Sequence, residues 1–169
     1  MTKHDRATQE ASSSPLSSET GAVPVQDIRE QLDFALYRAT HAITRAYREP
    51  LQRLGLTYTQ YLILLALWEQ GPLSMGELAR SLDLDMGACT PVVKRLELGG
   101  LVIRQRDERD ERRVQVEAAP GADALRGPCA SLQQEVGRQT GLSARDLRNL
   151  TLQLHRIANT LREAVAEQR

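Results

Sequence analysis

Between Leu73 and Val116 the spacing of apolar residues switches from helical to alternating, and the switch predicts an ordered run of elements. Leu78, Ala79 and Leu82 recur at helical spacing behind Ser74-Met75-Gly76-Glu77, an S-x-x-E capping box. Asp83-Leu84-Asp85 makes a turn, and Asp85 stands where it can cap a second helix. That helix turns Cys89, Val92, Val93 and Leu96 to one face and runs to about Leu98. It stops at Gly99-Gly100, which can take the left-handed backbone that a helix end needs. Leu101-Val102-Ile103 reads as a strand, Arg104 to Arg113 as its turn and Val114-Gln115-Val116 as the return strand. Helix, turn, helix and hairpin in that order describe a winged helix-turn-helix, a shape that lays its second helix in the major groove of DNA.

The flanks are helical. Ile28, Leu32, Ala35, Leu36, Ala39, Ala42, Ile43 and Ala46 recur at three and four, which predicts a long amphipathic helix over about 25–50, closed by Pro50 and Gly55. Thr57-Tyr58-Thr59-Gln60 is a second capping box, opening a helix that is apolar nearly all round from Tyr61 to Trp68 and therefore buried on most sides. Gly71-Pro72 ends it. After the hairpin, Pro120 suits a first helical turn, and Leu125, Leu132 and Val136 mark one apolar face. Gly127-Pro128 should kink or split that helix. Ser143 opens the last helix, with Leu147, Leu150, Leu154, Ile157, Ala158, Leu161 and Val165 on one stripe. The expected fold is thus mainly α with a small antiparallel β wing. Residues 25–165 form the domain, with a reading head over about 56–117 and flanking helices over about 25–50 and 120–165. Met1 to Pro24 hold almost no large apolar residue and are expected to be a disordered tail. The flanking helices each carry a long apolar stripe outside a head that has its own core. A second copy of the chain, related by a twofold axis, is the simplest cover. Such a dimer would present two recognition helices to successive major grooves, about 34–36 Å apart.

Composition narrows the reading. The 22 basic and 22 acidic residues cancel, so DNA binding has to rest on local charge placement. Aromatic residues are few, which argues against single-strand recognition by base stacking. Two cysteines, Cys89 and Cys129, make no disulfide framework. No apolar run approaches the roughly 18 residues of a membrane span, and the chain does not open on a signal peptide. A cytoplasmic protein with no membrane partner is expected. His4, His41 and His155 are scattered without metal-ligand spacing. Neither a phosphate loop nor a nucleophile elbow nor paired carboxylates support an enzyme, and no cofactor is implied.

Candidate DNA contacts follow from helical phase. With Cys89, Val92, Val93 and Leu96 inward, the outward side holds Met86, Gly87, Thr90, Pro91, Lys94 and Arg95, and Ser74 at the head of the preceding helix joins them. Gly87 and Ala88 leave little bulk near the helix start. Thr90 can bond a base or pack on a thymine methyl, and Lys94 and Arg95 suit phosphates. The plain alternative is an ordinary surface helix. In and beside the wing, Arg104, Arg106, Arg109, Arg112 and Arg113 face Asp107, Glu108, Asp110, Glu111 and Glu117, five against five. Acids there can stiffen the hairpin by pairing with some arginines and leave one to enter a narrow minor groove; the alternative is a solvated charged turn. Cys89 reads as a small buried apolar residue. Cys129, beside Pro128, reads as partly exposed. Oxidation of either would be a route to redox control.

These residues resemble the MarR family of dimeric winged-helix transcriptional regulators over roughly Ile28 to Leu161. Leu78-Ala79, the run Thr90-Pro91-Val92-Val93-Lys94-Arg95-Leu96-Glu97, Gly99-Gly100-Leu101-Val102 and Asp107-Glu108-Arg109-Asp110-Glu111-Arg112 carry the resemblance. Phe34-Ala35-Leu36-Tyr37, Tyr47-Arg48, Leu56 to Leu62 and Leu67-Trp68-Glu69 are similar to the organic hydroperoxide sensors of that family. The resemblance implies that Arg109 enters the minor groove while Asp107, Asp110 and Arg112 brace the wing. It implies a pseudo-palindromic double-stranded operator, a homodimer, and repression released by a small-molecule or oxidative signal. Those sensors carry a reactive cysteine just before the Phe-Ala-Leu-Tyr run, where this chain has Asp33, and a carboxylate cannot follow thiol oxidation chemistry. Two readings of Asp33 stand side by side. One is a surface pair with Arg29, four residues earlier. The other places Asp33 in an effector pocket with Tyr37, Tyr47 and Tyr58, where it meets a polar or cationic ligand or mimics the charge of an oxidised cysteine. A winged-helix interaction module that does not read DNA is the alternative from a different class.

Overall fold

The computed structural model describes residues 27–106 and 114–168, leaving aside the side chain of Arg106. A 3-10 turn at Ile28–Glu30 leads into α1 (Leu32–Arg53), followed by α2 (Tyr58–Gln70), β1 (Leu73–Ser74), α3 (Met75–Ser81) and α4 (Met86–Leu98). Then come β2 (Val102–Arg106), β3 (Val114–Ala118), a 3-10 turn at Pro120–Ala122, α5 (Asp123–Gln139) and α6 (Ala144–Ala166). The fold is mainly α with a three-stranded antiparallel sheet in the order β1-β3-β2. Val102 pairs with Ala118 and Arg106 with Val114, while Leu73 pairs with Val116 and Ser74 with Gln115.

Local chemistry sets the helix starts. Thr57 with Gln60 and Ser74 with Glu77 form complete capping boxes. Asp85 and Ser143 cap α4 and α6 by accepting from Ala88 and Asp146 backbone N–H groups. Three helix ends share one geometry. After α1, Leu56 N–H reaches back to the Leu51 carbonyl and Gly55 N–H to Gln52, with Gly55 at φ 72°. After α4, Leu101 bonds Leu96 and Gly100 bonds Glu97, with Gly100 at φ 69°. After α3, Leu84 bonds Ala79 and Asp83 bonds Arg80, but here the left-handed residue is Asp83, at φ 52°. Each is a Schellman end, in which a left-handed residue turns the chain back onto the last free carbonyls.

Four expectations need correction. Pro50 does not end α1; the helix runs on to Arg53, because Leu51 is buried in the core and Gly55 supplies the actual stop. Gly127-Pro128 does not split α5, which runs through it as one helix. Ala124 and Pro128 are both exposed, so the carbonyl that loses its partner is open to water. Cys129 is buried, since it shares one helical face with Leu125, Leu132 and Val136. Arg104 to Arg106, expected in the turn of the wing, belong instead to β2, where they pair with Val114 to Val116. The core gathers Tyr61, Ile63, Leu64 and Leu67 of α2 with Leu78, Cys89, Val93, Leu96, Val102 and Val116 of the head, and reaches Leu51 of α1 and Cys129, Leu132 and Val136 of α5. α6 buries none of its residues.

Candidate nucleic-acid interface and the groove behind it

The core fixes the phase of α4. Cys89, Val93 and Leu96 are fully inside, which leaves Met86, Gly87, Thr90, Pro91, Lys94 and Arg95 exposed on the opposite side. The Asp85 carboxylate accepts from Ala88 N–H at 2.8 Å and fixes the first turn. Gly87 is part of that cap: a Cβ there would lie 3.0 Å from Asp85 Oδ1, pressing on the carboxylate that holds the helix end. The Thr90 hydroxyl donates to the Met86 carbonyl at 2.7 Å, so its outward offering is a methyl group and acceptor lone pairs. Neither Lys94 nor Arg95 makes an ion pair among the described residues. Both cations are available to an external anion.

Ser74 is differently placed. Its hydroxyl donates to Glu77 Oε2 at 2.6 Å and accepts from Glu77 N–H, so the capping box already engages it. Arg104, counted among the wing arginines, is also committed: its Nε donates to Glu97 Oε2 at 2.9 Å, and Nη2 donates to the same oxygen. This contact ties the last turn of α4 to the root of the wing. The Arg104 hydrogen bond, with added attraction from Arg104 and Lys94, holds the Glu97 carboxyl below the usual carboxylate range despite an opposing desolvation cost. Sequence reasoning missed Glu97 because its partner comes from the next element. Asp107, Arg109, Asp110 and Arg112 lie outside the described residues.

Behind the head, α1 and the start of α2 enclose an open groove of about 810 Å³. Arg38, Arg45 and Arg48 line it with Tyr37, His41, Thr44, Thr57 and Tyr58, and among the described residues no carboxylate lines it. Tyr37 and His41 meet edge-on, with ring centroids 4.3 Å apart. Asp33 does not line the groove, and no ion pair with Arg29 forms among the described residues. This groove begins one turn further along α1, at Tyr37. Tyr47 is buried and does not line it either. It packs between Tyr58 and Tyr61, each ring centroid 5.4 Å from its own. Tyr61, which sequence reasoning left in the core, completes this aromatic cluster beneath Tyr58. Burial pushes all three phenols above their ordinary pKa, so each stays neutral at physiological pH. Burial likewise raises the thiols of Cys89 and Cys129, away from the reactive thiolate.

Comparison with known proteins bears on both surfaces. The MarR family model matches residues 56–114. The HTH-type transcriptional regulator TtmR of Methylorubrum extorquens is 44% identical over 133 residues, covering 79% of this chain and 68% of that protein. An organic hydroperoxide resistance transcriptional regulator of Bacillus subtilis is 34% identical over 136 residues, covering 80% of this chain and 92% of its own. Among solved structures, a probable transcriptional regulator from Pseudomonas aeruginosa superposes with a TM-score of 0.69 at 29% identity, covering 78% of this chain and 99% of that one. Reduced AbfR bound to DNA superposes with a TM-score of 0.64 at 28% identity, covering 79% and 94%.

Proposed function

Because the chain belongs to the MarR family of transcriptional regulators, we propose that it is a homodimeric, sequence-specific DNA-binding repressor released by an anionic small molecule. The observation that carries the DNA reading is the outward face of α4, where Thr90 and Pro91 stand beside Lys94 and Arg95, two cations that make no ion pair among the described residues. Thr90 and Met86 read base edges, Lys94 and Arg95 hold phosphates, and Arg109 enters the minor groove beside a wing braced by Asp107, Asp110 and Arg112. The apolar stripes of α1 and α6, with the turn before α1, support the dimer: Ile28 in that turn is 54% exposed, Leu32 58%, Leu161 61% and Val165 55%. A two-headed dimer calls for a pseudo-palindromic operator.

The groove supports an anionic effector. Three guanidiniums with no lining carboxylate favour a carboxylate or a similar anion, and the aromatic rings of Tyr37 and Tyr58 add apolar contact. This replaces the cationic ligand that Asp33 suggested. A ligand wedged between α1 and α2 that prefers a head spacing unlike the DNA-bound one lowers operator affinity by shifting populations. Redox control through Cys89 or Cys129 draws no support from two buried thiols. Fluorescence anisotropy against the chain's own promoter, at two salt concentrations and against random duplex, tests the reading. Lys94→Ala is expected to weaken binding uniformly and reduce the salt slope by about 1, and Arg109→Ala to cost about 1–3 kcal/mol. Equal affinity for promoter and random DNA would favour an interaction module instead.

A further inference from the structure

Asp83 is the only residue other than glycine at positive φ among the described residues. It ends α3 with the hydrogen-bond pattern that Gly55 and Gly100 complete elsewhere, and glycine is what such a position ordinarily takes. Aspartate tolerates the left-handed backbone better than most residues, but it adds a carboxylate that the turn itself does not use. That carboxylate reaches α6: Arg162 Nη2 donates to Asp83 Oδ2, a contact between residues 79 positions apart. The other amino group of Arg162 donates to Asn159 Oδ1 at 3.3 Å, which lays the guanidinium along α6. Asp83 lies two residues before Asp85, the cap of α4. Arg162 directly follows Leu161 of the exposed apolar stripe. One ion pair therefore joins the turn that aims the recognition helix to a helix that buries nothing in its own chain.

We propose that Asp83 and Arg162 are a positioning pair that sets the angle of the recognition helix against α6, and through it the half-site spacing the two heads accept. This rests on the dimeric, DNA-binding reading above. Both side chains are more than half exposed, and an exposed pair adds little to folding stability. Its effect lies in orientation. Each turn of the head against α6 has to break or keep this contact, so DNA of the wrong spacing loses it.

The test is a double-mutant cycle read on operator binding. Asp83→Asn and Asp83→Gly both remove the carboxylate while suiting a left-handed turn; Arg162→Gln removes the cation. Each single variant should bind the natural operator about two- to fivefold more weakly. The combination of Asp83→Asn with Arg162→Gln should be no weaker than either single, because one contact is lost once. The same variants should discriminate less than the wild type between the natural operator and one lengthened by a base pair between half-sites. Arg162→Lys should recover part of the discrimination. Sedimentation and thermal melts should show dimers of unchanged stability. Unchanged affinity and spacing preference in dimeric variants would overturn the pair, as would effects that simply add. Dissociation of Arg162→Gln into monomers would also overturn it, by making Arg162 an interface residue. A wild-type monomer on DNA would instead remove the dimer reading itself, a result visible before any variant is made.

Discussion

α2 and α6 are both leucine-rich helices, yet α2 places Tyr61, Ile63, Leu64, Ala66 and Leu67 in the core while α6 buries none of its residues. α2 is apolar nearly all round and is enclosed by the head, α1 and β3. α6 is amphipathic, and its stripe of Leu150, Leu161 and Val165 stays exposed within one chain. A helix that is apolar on every side is satisfied by its own domain. A helix with one apolar stripe and no partner leaves that free energy to be gained by association.

The largest expected effect breaks the satisfied half. Leu64 is fully buried, and Leu64→Ala should lower unfolding free energy by about 2–5 kcal/mol, read as a shifted urea midpoint. A shift well under 1 kcal/mol would mean the head relaxes around the cavity. Next, Leu161→Glu in the exposed stripe should leave that midpoint near wild type, extrapolated to low protein concentration. It should abolish the dimer in sedimentation, and operator affinity should fall on the order of a hundredfold as two tethered contacts become one. A dimeric Leu161→Glu protein would place the association surface elsewhere. The smallest effect concerns the tie between α4 and β2. The Glu97 carboxyl is held below its ordinary range when folded, so its stabilisation is present above the usual carboxylate range and is lost as pH falls through the lowered value. The difference in urea midpoint between wild type and Glu97→Gln should be small at neutral pH and should vanish in acid. A difference that grows with acidity would reverse the assignment.

What the sequence makes legible is local. The boxes at Thr57-Gln60 and Ser74-Glu77, and the caps at Asp85 and Ser143, need only residues within one helical turn, and all four form. β1 escapes notice because two residues show no alternation and become a strand only by pairing with Val116 and Gln115. Cys129 was misplaced because its neighbour Pro128 outweighed helical phase, although Leu125, Cys129, Leu132 and Val136 fall on one face. Resemblance alone sets Asp33 beside an effector pocket, whereas the lining of the groove seen in one chain depends on where α1 crosses α2, a tertiary fact. The pairs Glu97–Arg104 and Asp83–Arg162 join separate elements, and no spacing rule reaches them.

On the proposed DNA-facing side of α4, Gly87 is a tight position and Thr90 an exposed one. A side chain at Gly87 would press on the Asp85 carboxylate that caps the helix, so under the proposed DNA reading a change of specificity sought there would also disturb the helix start. Thr90 is exposed, and its hydroxyl donates to the Met86 carbonyl of its own helix. Altered specificity is therefore expected to accumulate at Thr90 and its exposed neighbours, while the first turn stays as it is.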